Sequence, residues 1–199
     1  RNSSKVCLIL TSEYGTAVNS AKLGGKDPKY YTQPQNLLDN SDFTNPVNQR
    51  EQTSYTGSGY TVDRWTLRQQ NMTVEVQNTG LVLTNNRPTG DDGYIEQILP
   101  SNVLNKTDHA GKVYTVAAKV NGKIHVATCT IPSQASTRIN ENALLHCLYS
   151  NNAQHWCVRF TLNGQGTTIT IGWAALYEGE YTADNLPPYV PKGYGVELT

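Results

Sequence analysis

The 199-residue chain balances 16 Lys+Arg against 16 Asp+Glu, and charged residues make up only 16% of it. A net charge of zero with no basic run argues against a nucleic-acid partner, whose binding rests on clustered Lys and Arg. The low charge density likewise argues against a disordered acidic or basic polypeptide. Apolar residues at 37%, with sixteen Gly, nine Pro and twelve Tyr against one Met, point to a turn-rich β protein. The length allows one ordinary domain plus an appendage, or two small domains. Near-zero charge suits a protein that lives in an assembly. Nothing approaches transmembrane length, so no membrane partner is expected. The chain opens on Arg1 and not on Met, which reads as a portion of a longer protein.

Lys5–Leu10 is a short, continuous apolar run, and such a run must be covered on both faces or paired with another chain. Thr11–Gln35 has no sizeable apolar cluster and holds Gly15, Gly24, Gly25, Pro28 and Pro34. It reads either as an extended connector ordered on a neighbour or as a loose terminus. Residues 1–35 are therefore expected to form an attachment or oligomerisation segment, and 36–199 a head domain. That domain opens with Asn36-Leu37-Leu38, turns through Asp39-Asn40-Ser41-Asp42 and reaches Phe43. A polar arm containing Pro46, Gly57 and Gly59 then leads to the alternating stretch Tyr60–Trp65. Leu37, Phe43 and Trp65 are expected in the core, and the arm, with Tyr55 at its tip, free for a partner.

Beyond Trp65 the strands recur at regular intervals. Met72–Val76 and Leu81–Thr84 flank a short turn ending at Gly80, and Tyr94–Leu99 is closed by Pro100. A turn of helix is expected near Val103-Leu104. Val113–Val120 and Lys123–Thr130 form the clearest hairpin, because both residues of Asn121-Gly122 tolerate positive φ. Arg138–Leu148 fits a short helix or a strand. His155–Leu162 puts Trp156, Val158 and Phe160 on one face, and Thr167–Leu176 does the same with Ile169, Ile171 and Trp173. The Pro-rich end, Tyr177–Thr199, is expected to pack on the sandwich surface or on another subunit. Eight or nine strands with long end loops predict an all-β, jelly-roll β-sandwich of two antiparallel sheets.

No HExxH, GxSxG, GxxxxGK[ST] or GxGxxG pattern occurs, and no enzyme is expected. Cys7, Cys129, Cys147 and Cys157 are too widely spaced for a CxxC site. They read as buried thiols, with a Cys147–Cys157 disulfide open if the two lie on paired strands. Asp91-Asp92 is the best acidic pair; a glycosidase needs two carboxyls about 5 to 9 Å apart, but adjacent Asp residues in a Gly-rich loop more often form turns. Asp39, Asp42, Asp91 and Asp92 are also candidate oxygen ligands for a structural Ca²⁺. Sugar binding needs flat aromatic faces and amide or carboxylate groups, available here without net charge. Tyr55, Tyr60, Tyr149, His155 and Trp156, in or beside Asn- and Gln-rich loops, are the candidate glycan contacts. Trp65 and Trp173 read as core anchors.

Asn36–Phe43 (NLLDNSDF), Asn45–Arg50 and Asp63-Arg64-Trp65 resemble an opening common in tail-fibre and related structural proteins of phages of Gram-positive and gut bacteria. Trp173–Tyr181 and Pro191–Tyr194 look like the close of the same domain, and Ala21–Tyr31 is similar to the LGGK segments that join fibre modules. More distantly, the opening resembles carbohydrate-binding modules of families four and nine, which are jelly rolls often carrying a structural calcium. The resemblance implies a virion protein, made in the bacterial host cytoplasm. It implies a homotrimeric fibre or fibre-tip subunit joined to other virion proteins through residues 1–35, whose head attaches to host-surface glycan. The alternatives are a structural module without a ligand, such as a head fibre or capsid decoration, and a glycan-degrading enzyme.

Overall fold

The computed structural model describes residues 34–69, 71–88, 92–101, 103–104, 108–150 and 155–192. The Lys5–Leu10 run, Cys7, the LGGK-like segment and Asp91 lie outside them. All regular structure among the described residues is β. Twelve strands form two six-stranded antiparallel sheets. The first sheet has the order β1 (Ser54–Thr56), β4 (Met72–Gln77), β5 (Gly80–Asn85), β12 (Thr168–Glu178), β7 (Val113–Val120) and β8 (Lys123–Thr130). The second runs β2 (Gly59–Tyr60), β3 (Thr66–Leu67), β6 (Gly93–Leu99), β11 (Trp156–Leu162), β10 (Ala143–Ser150) and β9 (Ala135–Asn140). This is the expected jelly-roll-like sandwich.

Alternation along the strands builds the core. One inward row of the second sheet is Leu67, Ile95, Phe160 and Leu145; one of the first is Val74, Leu83 and Ile169. The β7–β8 hairpin turns on Asn121 and Gly122 with φ of 49° and 79°, the paired positive values that a two-residue hairpin turn needs. The ambiguous 138–148 stretch is strand, with a turn at Glu141-Asn142 between β9 and β10. Gly80 has no substitute: at φ 133° a Cβ there would lie 2.2 Å from the Ile171 carbonyl oxygen.

Asn36–Phe43 completes the first sheet. The central strand β12 pairs with β5 only from Thr168 to Ile171, which leaves its backbone groups from Gly172 onward short of partners on that side. The opening segment supplies them. Leu37 N–H donates to Leu176 O at 2.9 Å, Ala174 N–H to Ser41 O at 2.9 Å, and Phe43 N–H to Gly172 O at 3.0 Å. Between these, the buried Asn36 carboxamide acts as a peptide group, accepting from Leu176 N–H at 3.0 Å and donating to Ala174 O at 3.3 Å. Leu38 and Phe43 are thereby fully buried, and Phe43 meets Trp65 edge-on at 5.0 Å.

Two expectations are corrected here. Leu38 is the inward leucine and Leu37 only packs against the core, because the hydrogen-bond register with β12 sets which way each points. Trp173 is not a core anchor. A register shift between Ile171 and Trp173 turns the indole outward, where it stacks on Tyr189 at 4.7 Å and 13°. Tyr189 belongs to a C-terminal strap on the outer face of the first sheet, where Tyr181 also meets Tyr177 edge-on at 5.9 Å. Thr115 Oγ1 donates to Gly179 O at 2.8 Å and accepts from Tyr181 N–H at 3.1 Å.

Asn36→Ala leaves the Leu176 amide and Ala174 carbonyl buried without these partners, so it is expected to destabilise the domain by about 2–4 kcal/mol. Urea denaturation reads this as a lower midpoint at unchanged slope.

Candidate functional site

The outer face of the second sheet carries polar and aromatic side chains in register. Because directly opposed residues point to the same side, Tyr60, Thr66, Glu96, Arg159, His146 and Ser136 form one row across the sheet. Tyr94, Thr161 and Leu144 form the next row on one side; Ile98, Cys157 and Tyr149 form it on the other.

Tyr149 reaches this face through a β-bulge. The β10–β11 register shifts between His146 and Tyr149, and Leu148 there adopts φ 52°. The extra residue lets Leu145, Cys147 and Leu148 all turn into the core and sends Tyr149 outward beside Cys157. A positive φ at a buried leucine costs conformational energy, and the bulge spends it on aiming one tyrosine.

At the centre lies Arg159, 5% exposed, bonded through Nη2 and Nε to Glu96 Oε2 at 2.6 and 3.1 Å. Arg68 Nε donates to the other oxygen of Glu96, Oε1, at 2.8 Å. The rings of Tyr94 and Tyr149 each lie 3.8 Å from the guanidinium carbon. Burial disfavours the charge on Arg159, but the Glu96 hydrogen bonds together with the charges of Cys157, Glu96 and Tyr94 outweigh it, holding the group protonated. A cavity of about 510 Å³ opens here, lined by Tyr94, His146, Tyr149, Arg159 and Thr161, with Arg87 and Asp92. His146 Nε2 lies 3.1 Å from Thr161 Oγ1, and its ring meets Tyr149 edge-on at 5.3 Å.

Of the residues expected to contact glycan, Tyr149 is in this cavity and Tyr60 shares its row at the sheet edge, 62% exposed. Tyr60 lines a second depression with Arg50 and Arg64, and the Arg50 guanidinium lies 5.5 Å from its ring. His155 is exposed just ahead of β11 and does not line the cavity. Tyr55 and Trp156 are corrected. Tyr55 is 6% exposed on β1 of the first sheet, its hydroxyl donating to Asn48 Oδ1, so it is not the tip of a free arm. Trp156 is 1% exposed and belongs to the core, because β11 alternates with Trp156, Val158 and Phe160 inward.

The carboxylates expected to hold Ca²⁺ do separate tasks. Asp39 pairs with Arg64 at 3.0 Å and Lys192 at 2.8 Å. Burial raises its pKa, but these cations outweigh burial and hold it below the ordinary value. Asp42 accepts from Thr44 N–H at 3.1 Å and Thr44 Oγ1 at 2.6 Å, a turn contact. Asp92 is exposed at the cavity rim. Among the described residues no group of three His, Cys, Asp or Glu gathers where it could hold a metal ion.

The three described thiols are free and buried, as expected. Cys147 and Cys157 are not bonded, because the bulge sends Cys147 inward and leaves Cys157 on the outer face. Cys147 instead meets Cys129 of the other sheet, with Sγ atoms 3.3 Å apart. Cys157 donates to Glu96 Oε2 at 3.3 Å, and burial followed by the Glu96 charge pushes its thiol up. Sequence reading missed Tyr94, Glu96 and Arg159. The available signal was the single charge in the middle of each of two strand stretches, Tyr94–Leu99 and Trp156–Leu162.

Burial, and then repulsion from Arg159, lower the His146 pKa from 6.5 to about 4. The unfolded chain therefore takes up this proton near pH 6.5 while the folded one does not, so stability is whole above that pH and falls as pH drops toward 4. His146→Gln is expected to make the loss between pH 7 and pH 5 smaller, read by urea denaturation at both pH values. The His146 ring signals are expected to titrate in NMR with a midpoint of about 4. No protein-family model matches the chain, and no curated protein matches it either.

Proposed function

We propose that the domain binds glycan on the outer face of its second sheet, and that it is the host-attachment head of a phage fibre. The observation that supports the glycan reading best is the Arg159 guanidinium fixed between Tyr94 and Tyr149 at a cavity of about 510 Å³. A sugar ring offers hydroxyl groups and C–H surface. Its recognition calls for polar groups held in place beforehand, so that little side-chain freedom is lost on binding. Here the arginine is locked by stacking and by Glu96, with Thr161, His146 and two tyrosines around it. The volume lies within the range of small-ligand sites, about 300–1,000 Å³.

Support for the fibre reading is the resemblance of Asn36–Phe43 and Trp173–Tyr181 to the ends of a phage fibre domain. In this fold those two stretches hydrogen-bond to each other, as the two ends of one module should. The reading carries with it a homotrimer joined through residues 1–35 and a place in the virion. The reading is of a binding role: arginines hold both oxygens of Glu96, the buried carboxylate beside the cavity.

Titration calorimetry of the full chain with polysaccharide from the host cell envelope tests this. Tyr149→Ala is expected to weaken binding about tenfold, the scale of one lost aromatic contact, while His155→Ala, off the cavity, leaves it unchanged. No binding to any envelope fraction would sink the glycan reading. Sedimentation of the full chain is expected to give a trimer mass, and a monomer at all concentrations counts against the fibre.

A further inference from the structure

Resting on the glycan reading, we infer that the glycan is acidic and that Arg159 receives its carboxylate or phosphate oxygen. Arg87 and Arg159 line the cavity, Arg68 reaches Glu96 beside it, and Arg138 lies on β9 of the same sheet. Glu96 is divided between two guanidiniums, Oε1 to Arg68 and Oε2 to Arg159, so this group of three keeps one positive charge.

Arg159 itself is nearly saturated. Tyr94 and Tyr149 stack on its guanidinium, while Nε and Nη2 donate to Glu96. Nη1 has no bond among the described residues, and Arg159 lines the cavity. What remains of the group is a fixed, charged donor with no protein acceptor, which matches an anionic oxygen better than a hydroxyl. Stability alone does not call for this arrangement, since a buried ion pair is often no more stabilising than apolar residues of the same size.

The test uses the host envelope polysaccharide in three forms: native, carboxyl-reduced and dephosphorylated. Calorimetry is run on the full chain at low and high salt. One treated form is expected to bind about tenfold more weakly than the native, the scale of one charge-assisted hydrogen bond, and which form does so names the acid. Native binding should also weaken as salt rises. Arg159→Met should bind all three forms alike. If that variant does not fold, Arg68→Ala, at a partly exposed side chain, should reduce the salt dependence of native binding. If both treated forms bind as the native does, the acidic ligand is ruled out while glycan binding stands. If the native form does not bind, both readings fall.

Discussion

The sandwich depends on how the edge of β12 is closed. This 11-residue strand lies at the centre of the first sheet, yet β5 accompanies it for only its first few residues. Backbone groups left bare in the interior would each cost on the order of 1–3 kcal/mol. Asn36–Phe43 meets the requirement with three main-chain bonds and one carboxamide. The same segment then organises its surroundings. Trp65 Nε1 donates to Asn40 O at 3.0 Å, Asn40 Nδ2 donates to Val47 O and Asp63 O at 2.8 Å, and Asp39 exchanges two bonds with the Gln97 side chain of the opposite sheet. A turn that looked suited to a cation is held by direct hydrogen bonds and arginine and lysine partners.

With the C-terminal strap packed on the first sheet, the second sheet carries the unusual chemistry on its outer side. Glu96 and Arg159 are nearly excluded from water although they sit on a face that alternation would expose. Two tyrosines exclude the water, and one of them is in place only because of the bulge at Leu148. Strain in the backbone, a buried ion pair and a neutral histidine therefore converge on the same few residues. Strained backbone and buried charge cluster where a fold serves something besides its own stability.

Much of the architecture was legible. Alternation and the Asn121-Gly122 turn placed β7 and β8 to the residue, and the regular spacing of strands predicted the two-sheet class. What escaped was set by events that periodicity cannot see. Two bulges, at Ile171–Trp173 and His146–Tyr149, reversed the facing of every residue beyond them, turning Trp173 out and Leu148 in. The site is harder still to read, because Glu96 and Arg159 are 63 residues apart and meet only through the pairing of β6 with β11. Polar loops drew attention to Tyr55 and Trp156, but the aromatic residues on the exposed sheet lie within strands.

The strap and the opening segment end up side by side. Lys192 bonds Asp39, and the Tyr189 hydroxyl lies 3.3 Å from Ser41 Oγ. The two ends of the described sandwich, at Asp39–Ser41 and Tyr189–Lys192, thus meet at one corner, against the same strand. A pull applied across these two points loads a short lateral bundle of contacts and does not stretch the sandwich along its length. The strands bearing Arg159 and Tyr149 are in the other sheet, off the direct line between those points. Mechanical load on this corner and the outer face of the second sheet are in this way separated by the fold itself.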